Sequence, residues 1–190
     1  KAASGAEIAF IAGTQTWTDG ANATGAGAIA IRNLNATTGG TLAVNGGDVS
    51  MERIKLGALG VLGGGGTLTI TGAGSEWTAG TMNGGGTTVI AAGGDMALGG
   101  ASRKYLGQRT LDVRGSLTDA STGDLVDLEG NAVLNISGTV DIRSDGAWQD
   151  YLGGRGTLTI NNSGTMLRSV GTGQFEFLDT ALNNTGTVEV

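Results

Sequence analysis

Two groups of residues have the types and spacing to do chemistry. Asp119, Asp124, Asp127 and Glu129 are close in sequence, and Asp145, Asp150, Tyr151 and Arg155 form a second group. Paired carboxylates, or a carboxylate beside Arg, Lys or Tyr, perform the acid/base steps of polysaccharide lyases and glycosidases. The simpler reading makes all of them solvated charges on the outer face of strands and turns, because a one-residue slip would bury them. With no histidine and no cysteine in 190 residues, Ser-His-Asp and Cys-His catalysis, His-bearing zinc sites, thiolate metal sites and disulfides are excluded. The expectation is a chain that is not an enzyme and carries no cofactor.

Other candidates are weaker still. Gly46-Gly47-Asp48 and Gly93-Gly94-Asp95 match fragments of a calcium-binding nonapeptide, but the full repeat is missing and turn chemistry accounts for both. Gly63-Gly64-Gly65-Gly66 and Gly84-Gly85-Gly86 lack the Gly-Lys-Ser/Thr ending of a phosphate loop. Trp17, Trp77 and Trp148 with Tyr105 and Tyr151 are candidates for a sugar-stacking strip, with Tyr105, Tyr151 and Trp77 the expected glycan contacts; structural packing of the same rings is the competing reading. Asn22, Asn35, Asn135, Asn161 and Asn183 begin Asn-x-Ser/Thr sequons, although asparagines at equivalent turns of a repeat also stack in ladders.

The elements that must position these residues are repeats. Gly66-Thr67-Leu68-Thr69-Ile70-Thr71-Gly72 is a short strand and a turn, and weakened copies of it recur. Aligned on the apolar residue that closes each strand (Val44, Ile70, Ile90, Val113, Ile136, Ile160, Leu182), the copies are 26, 20, 23, 23, 24 and 22 residues apart. Three short strands with tight turns account for a period near 23, which predicts an all-β fold, a parallel β-solenoid (β-helix) of roughly eight coils in one continuous domain. Residues 1–40 read as irregular N-terminal coils and 41–190 as regular repeats. Ile8 and Ile31 are one period apart, yet Ile31 and Val44 are only 13 residues apart, so either the phase slips or Ile31 belongs to another side of the coil. Alternation places Leu111, Val113, Phe175, Phe177, Val188 and Val190 inward, and Asp112, Arg114, Glu176 and Glu189 outward. At about 4.8 Å per coil the body is a rod roughly 40 Å long.

Composition agrees with this architecture. The 38 glycines show no every-third-residue pattern and proline is absent, which excludes collagen; 39% hydrophobic residues in alternation argue against disorder. A net charge of −6 with 11 scattered Lys and Arg argues against nucleic acid. No run of about 18 apolar residues predicts a membrane span. Lys1-Ala2-Ala3-Ser4 lacks the apolar segment of a signal peptide, so export would imply that a signal has been removed.

The run from Leu59 through Gly66-Thr67-Leu68-Thr69-Ile70-Thr71-Gly72 to Trp77 resembles the Gly-rich repeats of autotransporter passenger domains and related giant bacterial surface adhesins. Arg109-Thr110-Leu111 through Ile142, then Asn161-Asn162-Ser163-Gly164-Thr165 and Asn183-Asn184-Thr185-Gly186-Thr187, are similar to the NNSGT β-solenoid repeats of the same kind of exported protein. The resemblance covers about 40–190 and implies a secreted or cell-surface bacterial protein. The last strand, Thr187-Val188-Glu189-Val190, has no proline, helix or charged cluster to blunt it. Two partners follow: a longer parent chain, or a second copy docking head to tail with Val188 and Val190 continuing the core toward Ile8 and Phe10. The function expected is an extracellular structural protein, a surface or filament-forming β-solenoid; the alternatives are an adhesin module binding surface glycans and a lyase-like β-helix.

Overall fold

The computed structural model describes residues 5–127, 131–150 and 157–190. They form a parallel β-solenoid of short strands and no helix, with about 23 residues per coil. Alternation is the local cause. In Thr110–Val113, Leu111 and Val113 are fully buried while Thr110 and Asp112 are half-buried on the outer side, and Thr67–Ile70 repeats the pattern.

The strands stack into three parallel sheets. Sheet 1 runs from Glu7–Phe10 through Ala28–Ile31, Ile54–Leu56, Ser75–Trp77, Asp95–Leu98, Ser116–Asp119, Thr139–Ile142 and Thr165–Leu167 to Thr187–Glu189. Sheet 2 runs from Gly13–Trp17 through Gly40–Val44, Val61–Gly63, Gly80–Met82, Lys104–Leu106, Leu125–Asp127 and Ala147–Asp150 to Glu176–Leu178. Sheet 3 runs from Asn22–Ala23 through Asp48–Met51, Thr67–Ile70, Thr87–Ile90, Thr110–Val113, Val133–Ile136 and Leu158–Asn162 to Thr180–Asn184. Their inner faces enclose one continuous core that includes Leu42, Leu62, Leu68, Ile70, Met82, Ile90, Val113, Leu134 and Ile160.

Ladder register corrects the alignment by closing residues at two places. Ile70, Ile90, Val113 and Ile136 do share a column. Val44 does not, because it lies on sheet 2, and the residue below Ile70 is Met51. Ile160 lies over Leu134, and Asn162 is the residue over Ile136. A two-residue slip keeps every side chain on its own face, so alternation is blind to it.

The N-terminal segment joins the same ladders. Ile8 pairs with Ile29 and Phe10 with Ile31, so the step is 21 residues. Ile31 is on sheet 1 and Val44 on sheet 2, which resolves the short interval between them. The irregularity is local: Asn33 and Gly39 form an antiparallel bridge that closes a hairpin loop, and the step from Ile29 to Ile54 lengthens to 25.

The corner from sheet 3 into sheet 1 is a column of glycines. A Cβ on Gly138 would stand 2.1 Å from the Gly115 oxygen, and one on Gly164 or Gly186 would stand 2.2 Å from the glycine oxygen one coil below. The coils turn here with their backbones in contact, leaving no room for a side chain.

Candidate functional site

Asp119 is not a solvated charge. It closes Ser116–Asp119 two residues after Leu117, so period 2 turns it inward, between Leu98 and Ile142, where it is 2% exposed. One carboxylate oxygen accepts from the backbone N–H of Ser121 (3.0 Å) and its hydroxyl (2.6 Å), the other from Trp148 Nε1 (2.8 Å). Lys104 is also fully buried and donates to the carbonyls of Ser102 (2.9 Å) and Gly100 (3.4 Å). Desolvation pushes its ammonium below the ordinary value, while Asp119 and Asp124 oppose the shift.

The remaining carboxylates are dispersed. Asp124 accepts from Ala147 N–H (3.3 Å) and Gln149 Nε2 (2.9 Å), across one coil. Asp145 pairs with Arg168. Asp150 is buried, in register with Asp127. Glu129, Tyr151 and Arg155 lie outside the described residues. The acceptors of Asp119 and Asp124 are thus engaged with the following turn and the next coil, which is a structural use of carboxylates. Asp95 and Asp48 each open a strand just after their glycine pairs: Asp95 accepts from Gly74 N–H (2.6 Å), and Asp48 N–H donates to Asp19 (3.1 Å). Among the described residues no group of three or more carboxylates is placed to hold a metal.

Among the described residues the expected aromatic strip is not assembled. Trp77 is fully buried in sheet 1 between Leu56 and Leu98, so its ring faces meet core side chains and not a ligand, a correction to its expected glycan role. Alternation in Ser75-Glu76-Trp77, with Glu76 exposed, was the signal. Trp148 is buried too, with edge contacts to Phe175 (5.6 Å) and Phe177 (5.9 Å). Tyr105 is half-buried on the outer face of sheet 2, between Thr81 and Val126. Through Val126 the ladder places Gln149, and not Tyr151, in the Tyr105 column, which corrects the expected pairing of the two tyrosines; Tyr151 itself lies outside the described residues.

The end coils place the expected self-association residues at the two extremes of sheet 1. Ile8 is 64% exposed beside a mostly apolar opening of about 590 Å³ that Phe10 and Trp17 also line. Val188 is 47% exposed above Met166, and Val190 is fully exposed. Followed coil by coil, the Ile8 column is the Val188 column.

Asparagines form two ladders, on the strands of sheet 3 and not at turns as expected. On the outer face Asn183 Nδ2 donates to Asn161 Oδ1 (2.9 Å) and Asn161 Nδ2 to Asn135 Oδ1 (2.9 Å). On the inner face Asn162 Nδ2 donates to Asn184 Oδ1 (2.7 Å) and Thr187 O (3.0 Å). The buried Asn162 Oδ1 is left without a partner, since Ile136 lies below it. Asn161→Ala removes both outer bonds and is expected to cost about 1–2 kcal/mol in urea unfolding.

Arg109 was missed by sequence reasoning. It is fully buried at the corner before sheet 3, donating through Nε to Thr88 Oγ1 (2.8 Å), through Nη1 to the carbonyls of Gly64 (3.1 Å) and Asn83 (3.2 Å), and through Nη2 to Thr87 O (3.1 Å). Burial pushes it down to about 10, so it remains charged at neutral pH. The signal was its alignment with Gly66 and Gly86, each preceding a threonine. Those absent side chains make the room, for a Cβ on Gly86 would meet Arg109 Nη1 at 3.0 Å. Arg109→Met strands these acceptors and is expected to lower stability by about 2–3 kcal/mol, read by chemical unfolding.

No protein-family model matches this chain, and no curated protein and no solved structure matches it either. Its own geometry therefore carries the functional reading.

Proposed function

We propose that this chain is an extracellular structural protein: a non-enzymatic β-solenoid of a bacterial surface that extends by end-to-end stacking, with further copies of itself or with coils of a longer parent chain. One observation carries the reading. Exposed residues of the last coil fall in the same columns as exposed residues of the first, Val188 with Ile8 on sheet 1 and, on sheet 3, Asn183 with Asn22. A first coil laid on the last would continue both the apolar core and the outer amide ladder, and the exposed strand edges would pair as parallel strands. The engaged state of Asp119 and Asp124 and the burial of Trp77 favour this reading over a lyase or an aromatic glycan strip.

Negative-stain electron microscopy across a concentration series tests it. Fibres with an axial repeat near roughly 40 Å per chain are expected, and Val188→Glu should abolish them while leaving the circular dichroism spectrum unchanged. Short rods that never join at any concentration overturn self-stacking. Glycan binding by such rods, lost on Tyr105→Ala, would replace it with the adhesin reading.

A further inference from the structure

The five Asn-x-Ser/Thr sequons are treated unequally by the fold. Asn135, Asn161 and Asn183 are joined by their amides, and the hydroxyls two residues after Asn161 and Asn183 turn away from them: Ser163 Oγ donates to Ile136 O (3.1 Å) and Thr185 Oγ1 to Asn162 O (3.3 Å). Asn22 is held extended in the ladder to Ser50, with Ala21 and Ala23 carbonyls accepting from Ser50 and Glu52.

Asn35 differs in its place in the fold and in what its side-chain oxygen accepts. It stands in the hairpin loop closed by the Asn33–Gly39 bridge and by the bond from Leu34 N–H to Thr38 O (2.8 Å). It is exposed, as are Ala36 and Thr37. Its Oδ1 accepts from Thr37 N–H (2.9 Å), Thr37 Oγ1 (3.1 Å) and Thr38 N–H (2.9 Å), so the asparagine and the threonine of one sequon bend onto each other. Its Nδ2 donates to no partner among the described residues, so all three bonds fall on the oxygen and none on the nitrogen. The neighbouring Leu34 is an exposed apolar side chain.

We propose that Asn35 is a modification site, an N-glycosylation acceptor that takes a sugar from a glycosyl diphosphate donor. An amide nitrogen is a poor nucleophile because its lone pair is delocalised into the carbonyl. Three donors on Oδ1 stabilise the negative charge that collects there as Nδ2 gives a proton to the base of the transferase. The nitrogen then attacks the anomeric carbon, the N–C bond forms, the C–O bond to the diphosphate breaks, and the diphosphate leaves with the electron pair. The loop lies outside the three ladders, so the product leaves every coil intact. This site stands independently of end-to-end stacking.

The test uses the purified folded chain, a soluble sequon-specific N-glycosyltransferase and UDP-glucose, read by intact mass and peptide mapping. One hexose per chain is expected, on the peptide holding Asn35; Asn35→Gln and Thr37→Ala abolish it and Thr37→Ser retains it. The same reaction on chain unfolded in urea should add hexoses at the ladder asparagines, because unfolding frees their amides. A folded chain that stays unmodified at Asn35, or that is modified first at Asn22, Asn161 or Asn183, overturns the proposal.

Discussion

Gly138→Val will cost more than about 4 kcal/mol and lower the thermal midpoint by about 10 °C or more. The position has no slack. A Cβ there would stand 2.1 Å from Gly115 O and 2.5 Å from Arg114 O, both backbone atoms of the coil below. That backbone is held in place, since Gly138 N–H donates to Val113 O (2.9 Å) and Thr139 N–H to Gly115 O (2.9 Å). Relief would require lifting the coil and breaking the ladder between Ser116–Asp119 and Thr139–Ile142. In a solenoid each coil is stabilised by its neighbours, so loss of one interface divides the rod into two cooperative units. Gly85→Ala is the control: nothing lies within 4 Å of its Cβ, and a small gain of about 0.4–1 kcal/mol is expected from the stiffer unfolded chain. Thermal unfolding followed by circular dichroism distinguishes the two, and equal effects would disprove steric contact as the cause.

The second large effect lies inside the coil. Asp119→Ala is expected to cost about 3–5 kcal/mol, because it removes a buried charge whose partners cannot reach water. Trp148 Nε1 and the Ser121 hydroxyl lose their common acceptor, and Lys104 loses a charge that opposes its desolvation. The two tryptophans then separate polar from apolar contributions. Trp148→Phe leaves a carboxylate oxygen without its donor, a loss of about 1–3 kcal/mol beyond packing. Trp77→Phe removes an N–H that is already buried without a partner, so only the volume change remains. Urea unfolding of the three variants checks the order Asp119→Ala, Trp148→Phe, Trp77→Phe.

Lys104 adds a pH signature. Its folded pKa is depressed below 10.5, so in the alkaline window between the folded and unfolded values the unfolded chain holds the proton that the folded chain sheds. Stability carried by this group therefore rises with pH through that window. Asp119→Ala should deepen the depression and widen the window toward lower pH, measurable as a steeper alkaline rise in unfolding free energy.

Much of the site was present in the alternation and went unused. Leu117 inward implies Asp119 inward, and Glu76 outward implies Trp77 inward, because the side-chain period is two whatever the residue's polarity. Composition favoured the opposite, since a carboxylate is seldom buried without partners, and those partners came from elsewhere: Ser121 from the following turn and Trp148 from the next coil.

What the sequence by itself determined is the period near 23, the all-β class, the parallel solenoid and the outer or inner face of residues such as Asp112 and Leu111, all consequences of local alternation and turn glycines. The tertiary structure alone decided which residues share a column. Met51 and not Val44 lies under Ile70, Asn162 covers Ile136, and Asn22 and Asn183 fall in one line. The reason is physical: face depends on neighbours one residue away, whereas column register depends on how many residues each corner absorbs, and that number varies from coil to coil while every side chain keeps its face.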